Sequence, residues 1–303
     1  MLVAPGTYCE NINFMGKAIT VTSSGGPAVT IIDGGAAGTV VMFRTNEGRD
    51  SVLSGFTITN GNTYYNPQNL GIVEYGGGGI YIFYASPTVS GNVITQNVAC
   101  SGSGNGIAAV GSSALIQGNT ITKNNQNGCT GSGGDGGGIY VGATGSVQIM
   151  GNTITGNSMN SGDGGGIALD GAGTPAIENN TINSNTATGL SPAAAGGGIA
   201  IFNGSDALIV QNLIFNNSAG VGGNNTGGQG GGIYLGVPSG SRGPFLINNT
   251  IANNAAAQGS GVYADGYDSQ TELINNLIIA SPGQPALVCD ASYSPAPPVV
   301  QFK

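Results

Sequence analysis

The chain has 303 residues, 58 of them glycine; 39% are apolar, only 7% are charged and 6% are aromatic. That apolar share excludes a disordered chain, and the lack of a Gly-X-Y period excludes collagen. With no histidine, Ser-His-Asp and Cys-His nucleophile systems and most zinc and haem sites are excluded, while a net charge of -8 opposes binding to a polyanion such as nucleic acid.

In chain order, residues 1–76 hold short apolar segments, Ala4–Tyr8, Glu10–Ile12, Ile31–Gly34 and Ser54–Gly61, and read as about two less regular coils of a repeat. Residues 77–280 carry that repeat openly. A Gly-Gly-Gly-Ile block or near variant ends at Ile80, Ile107, Ile139, Ile167, Ile199, Ile233 and Val262, at spacings of 27, 32, 28, 32, 34 and 29. An Asn-x-Ile block follows each time, with isoleucines at 94, 121, 154, 182, 214, 251 and 278, and a further Asn stands three residues later in the first six copies. Residues 281–303 read as a truncated last coil. The apolar runs are too short for a membrane-spanning helix.

Within each copy the apolar residues alternate over three to five positions, as in Ile139–Val141, Val147–Ile149 and Thr153–Thr155. That is strand periodicity. One repeat predicts about three short strands whose copies pair in parallel about 4.8 Å apart. The expected architecture is all-β: one domain over 1–303, a single-stranded right-handed parallel β-helix of about nine to ten coils. Inward isoleucines and valines then stack in columns. The two Asn columns predict ladders at sharp corners, since Asn tolerates left-handed backbone and its amide bonds to the copy above or below. The recurring glycines are corners, because a phosphate-binding loop would occur once and lead into a helix.

The opening segments Ala4–Tyr8, Glu10–Ile12, Ile31–Gly34 and Ser54–Gly61 resemble those of secreted right-handed parallel β-helix repeat proteins of the pectate-lyase-like superfamily. That superfamily contains polysaccharide lyases, hydrolases and esterases as well as adhesins without catalysis, so fold alone selects no activity. Its members carry a signal peptide and a capping helix before the Pro-Gly-Thr-Tyr strand, whereas Met1 falls inside that strand and Val299–Lys303 resembles a strand cut short. The expectation is a trimmed chain, extracellular or cell-surface in origin, whose open ends permit end-to-end self-association.

Cys100 and Cys129 fall three and five residues beyond the equivalent Asn97 and Asn124, in one corner loop of neighbouring coils, where a disulfide is geometrically reasonable. Cys9 and Cys289 belong to opposite ends of a rod about 40 Å long. Aligned on the glycine-block isoleucine, the next position reads Tyr81, Ala108, Tyr140, Ala168, Ala200, Tyr234 and Tyr263. Alternation points it to solvent, where the tyrosines either offer flat faces to sugar rings or cover the sheet and stack on one another.

Four residues before the same isoleucine, Asp135 and Asp163 occupy equivalent places, about 5 Å apart if the register holds. Such a pair shares a proton, binds a cation such as calcium, or is separated by water. At that spacing two carboxylates can act as acid and nucleophile in a retaining glycosidase. Asp170 faces the same side, and Asp265 holds the matching place beside Tyr263. The competing reading is corner-forming or solvated aspartates, since Asp-Gly is an ordinary turn dipeptide. Arg44, Glu47, Arg49 and Asp50 form the other charge cluster. The superfamily resemblance implies that an arginine there could serve as the base of a calcium-assisted lyase, against a solvated turn. The hydrolases' histidine and the esterases' Asp-Asp-Arg pattern are missing.

The leading expectation is an extracellular structural or adhesive solenoid that displays variable Gly/Ser/Asn loops and touches polysaccharide through its tyrosines, with no cofactor required. The alternatives are a calcium-assisted lyase or glycosidase at Asp135, Asp163 and Asp170, and a subunit that stacks end to end into filaments.

Overall fold

The computed structural model describes every residue except 64–75, 101, 127–128, 130–133, 190–193, 221–226, 237–242, 266–269, 291–298 and 303. Among the described residues the regular elements are all strands, arranged in three long parallel sheets of eleven, ten and ten members, here A, B and C, with short two-residue strands at one corner. Much of the expected Gly/Ser/Asn loop edge lies outside the described residues.

Residues 139–166 illustrate how one coil is built. Ile139–Gly142 lies in sheet C, Gln148–Met150 in sheet A and Thr153–Thr155 in sheet B; Ser158–Met159 then leads to the glycine corner. Each strand pairs residue on residue with its copy: Ile139 with Ile167, Ile149 with Ile177 and Ile154 with Ile182. Alternation turns Ile139, Val141, Ile149 and Ile154 inward, where all are buried and stacked in continuous columns. Truncating one such isoleucine costs roughly 2–5 kcal/mol. Because each coil buries its apolar face only against its neighbours, the core exists through stacking.

The amino-terminal region differs from the expectation. Leu2–Val3, Thr20–Ser23 and Val52–Ser54 are successive members of sheet A, so residues 1–76 supply three levels instead of about two. The first coils are short: Val3 pairs with Ser23 and Tyr8 with Ile32, separations of 20 and 24 residues that the regular spacing conceals.

Both asparagine columns form ladders. The Asn157 side chain is typical: Oδ1 accepts from the backbone N–H (3.1 Å) and Nδ2 (2.9 Å) of Asn124, while its own Nδ2 donates to Ile121 O (2.9 Å) and Asn185 Oδ1 (3.0 Å). Every polar atom of this buried amide is thereby satisfied. The backbone strain, however, falls one residue earlier than expected. Lys123, Gly156, Ser184 and Asn216, each just before a ladder asparagine, hold φ of 55–63°. The preceding residue makes the corner, and the asparagine seals it with its side chain.

The glycine blocks have two separate causes. Gly136 has φ +78°, a left-handed conformation, whereas a Cβ on Gly138 would lie 2.6 Å from the carbonyl oxygen of Gly166 in the next coil. The first glycine turns the chain, and the last allows coil-to-coil approach. Cys100 and Cys129 are joined, with Cα atoms 5.2 Å apart, tying neighbouring coils at this corner. That bond points to an oxidising compartment. Cys9 and Cys289 are free.

Candidate functional site

The outer face of sheet C presents two columns, since residues two apart on a strand share a face. One runs Tyr81, Ala108, Tyr140, Ala168, Ala200, Tyr234 and Tyr263 by register; the other runs Phe83, Val110, Gly142, Asp170, Phe202, Gly236 and Asp265. The glycines of the second column make room for the tyrosines of the first. A Cβ on Gly142 or Gly236 would lie 2.6 Å from Cε1 of Tyr140 or Tyr234, so each ring lies across its own strand.

The tyrosine column does not uniformly face solvent, contrary to the alternation argument. Tyr234 and Tyr263 are 5% and 0% exposed and stack with centroids 5.8 Å apart in a small second core with Ala195, partly buried Phe202 and Val288. The Tyr263 hydroxyl donates to Asp290 Oδ2 at 2.6 Å, and Asp265 is buried beside it. Strand periodicity distinguishes only the two sides of a sheet. Side chains packed on its outer face can still bury that side, and here Ala195, Phe202 and Val288 pack against Tyr234 and Tyr263, which like Asp265 are buried.

At the other end the face is open. Phe83 is 38% and Tyr84 61% exposed; Tyr81 stacks on Phe83 (5.7 Å), and Tyr84 meets Phe83 edge-on (4.6 Å). Tyr84 has φ +46°, and its ring covers Gly111, where a Cβ would lie 2.6 Å from Tyr84 Cε1. A bulky residue in that conformation is strained, a feature that concentrates at functional sites. Sequence reasoning missed both residues. Phe83 was legible as the i+2 neighbour of Tyr81, whereas the pose of Tyr84 has no sequence signal.

Asp135, Asp163, Asp170 and Tyr140 come together on adjoining coils. Ser103 Oγ accepts from the Asp135 N–H (3.1 Å), Asp135 Oδ1 from the Asp163 N–H (2.9 Å), and Asp163 Oδ1 from the Ala195 N–H (2.6 Å). This column is another corner ladder, built from carboxylates. Burial, then the charge of Asp135, pushes Asp163 up to about 7 despite the lowering effect of the Ala195 bond. Burial also raises Asp135. Tyr140 donates to Asp170 Oδ2 (3.4 Å), and its hydroxyl is raised by burial and by the neighbouring carboxylates of Asp170 and Asp135. Asn203 Nδ2 donates to Asp170 Oδ1.

One oxygen of Asp135 and one of Asp163 already accept backbone N–H groups, and among the described residues no group of three or more His, Cys, Asp or Glu is placed to hold a metal ion. The other charge cluster is also structural at its centre. Buried Glu47 accepts from the N–H groups of Gly16 and Thr45 (both 2.8 Å), while Arg49 reaches Gln148 Oε1 at 3.2–3.3 Å. No described helix is long and apolar enough to cross a membrane.

A family model described as right-handed β-helix region matches residues 9–293. No curated protein and no solved structure matches the chain.

Proposed function

We propose that this chain, which belongs to the right-handed β-helix region family, is a solenoid that acts outside the cell and binds polysaccharide on the outer face of sheet C. The observation that carries this reading is the aromatic cluster of half-buried Tyr81 with exposed Phe83 and Tyr84, the last strained. Aromatic faces with polar tips suit sugar rings, which present apolar C–H surfaces and a hydroxyl rim. From Phe83 the second column runs over Val110 and Gly142 to Asp170, three strand spacings or about 14 Å. The Tyr140 ring lies across Gly142 on this line, and the Asp170 carboxylate at its far end can accept sugar hydroxyls. The Cys100–Cys129 bond supports an oxidising location.

Affinity electrophoresis against neutral and acidic polysaccharides tests the reading. Retardation by at least one polymer is expected, with roughly tenfold weaker binding for Tyr84→Ala, the size of an aromatic contact worth about 1.4 kcal/mol. Wild-type protein that no polymer retards, or unchanged retardation of Tyr84→Ala, refutes it.

A second reading is favoured by the Asp163 carboxyl, held at about 7 in the range of a general acid. In that case the protein releases reducing ends or unsaturated uronates from a polysaccharide, and Asp163→Ala abolishes the release while the fold survives.

A further inference from the structure

The outer face of sheet B carries a different pattern. Its strands read Thr57-Ile-Thr59, Val93-Ile-Thr95, Thr120-Ile-Thr122, Thr153-Ile-Thr155 and Thr181-Ile-Asn183 on five successive levels. The isoleucines are buried in the core, so the flanking residues face outward, and eight of those ten outward positions are threonine. Threonine suits strands generally. Yet the same positions read Leu213 and Phe215, then Thr250 and Ala252, then Leu277 and Ile279, further along the sheet, so strand preference alone does not impose threonine.

Register fixes the geometry of the array. Thr120 pairs with Thr153 and Thr153 with Thr181, while Thr95 pairs with Thr122 and Thr122 with Thr155, each step residue on residue. The result is a grid about 4.8 Å along the axis and about 6.7 Å across each strand. No acidic or basic side chain lies within it; Asp33 pairs with Thr59 at one edge, and Lys123 stands at the rim, past the corner. Thr57 donates to the Pro27 carbonyl and Thr155 to Asn183, and the remaining hydroxyls have no partner among the described residues.

We infer that this threonine grid binds the surface of ice. Its two repeats are comparable with those of the oxygen atoms on a prism face of hexagonal ice. Each threonine supplies one hydroxyl, able to hold a lattice water, and one methyl group, which orders the water around it. A rigid stack presents these groups without ordering cost on binding, so many weak contacts add across the grid. A charged face would instead hold liquid-like hydration shells. The grid is separate from the aromatic face on sheet C, and the two proposals stand or fall independently.

The test uses the purified chain in slowly grown ice, together with the gap it opens between freezing and melting. Uptake into the ice and a measurable gap are expected. Thr122→Tyr, at the centre of the grid with its bulk pointing away from the core, loses most of both. Gln117→Tyr, exposed on sheet A of the same coil, keeps them. Matching far-ultraviolet circular dichroism shows that both variants are folded. Exclusion of the wild-type chain from ice overturns the proposal, as does wild-type uptake by Thr122→Tyr.

Discussion

Replacing Asn157 by alanine measures what a ladder asparagine contributes. The substitution removes four side-chain hydrogen bonds of 2.9–3.1 Å and strands the N–H of Asn124 and one Nδ2 proton of Asn124 in a region closed to water. At about 1 kcal/mol per bond the loss is about 4 kcal/mol, and it rises if the stranded donors stay dry. The damage falls on two interfaces, because Asn157 bonds to the coils on both sides. Urea unfolding followed by circular dichroism gives the readout, with Thr153→Ala on the outward face of the same coil as comparator, expected within about 0.5 kcal/mol of wild type. Asn157→Asp keeps the shape and the acceptor but turns acceptors toward Ile121 O and Asn185 Oδ1, so at pH 7 it is expected to destabilise at least as much as alanine. If Asn157→Ala unfolds together with Thr153→Ala, the ladder contributes no stability and the reasoning fails.

Three further outcomes are expected. Gly138→Ala, whose Cβ would meet the Gly166 carbonyl at 2.6 Å, costs about 3 kcal/mol or more, the top of the overpacking range. Gly118→Ala, strained at φ +61° but with nothing within 4 Å, costs only about 1–2 kcal/mol; denaturation midpoints in the reverse order would contradict the packing argument. Asp163 titrates near 7 folded against about 3.9 unfolded, so between those values the folded state holds more protons and stability falls as pH rises. Asp163→Asn keeps the acceptor for Ala195 and is expected to gain about 1–2 kcal/mol at pH 8, after discounting for the partly exposed side chain, and little at pH 4; an equal gain at both pH values would show that charge is not the cause. Reducing the Cys100–Cys129 bond frees a 29-residue separation and costs about 3–4 kcal/mol, visible as a lower midpoint in reductant that a Cys100→Ser chain no longer shows.

The stacked architecture was legible because isoleucines at fixed spacing can be buried in strands this short only by vertical stacking. The ladders were legible for the same reason: asparagine recurs in phase with those isoleucines. Tyr263 shows where this logic stops. Its alternation is correct, yet at this end the outward side chains of sheet C pack on one another in a second small core with Ala195, Phe202 and Val288, and the period within one strand does not encode that packing. Asp135 and Asp163 were aligned correctly as neighbours. Their use as acceptors for the next coil's N–H groups depends on side-chain direction at the corner, which spacing alone does not specify. The open aromatic cluster depends on Tyr84 adopting a left-handed backbone, and nothing in its local sequence demands it.

Residue-on-residue register has a consequence for how such a chain can change length. Cutting out one complete unit, for example the stretch from Ile139 to Gly166, would bring together edges that already match, Ile107 onto Ile167 and Asn124 onto Asn185. Gain or loss of a cassette leaves every surviving junction with the chemistry it had before. Dropping a single amino acid inside a strand would instead turn its apolar side chains outward. Evolution can therefore lengthen or shorten the rod in whole steps, with the long connections absorbing the odd residues.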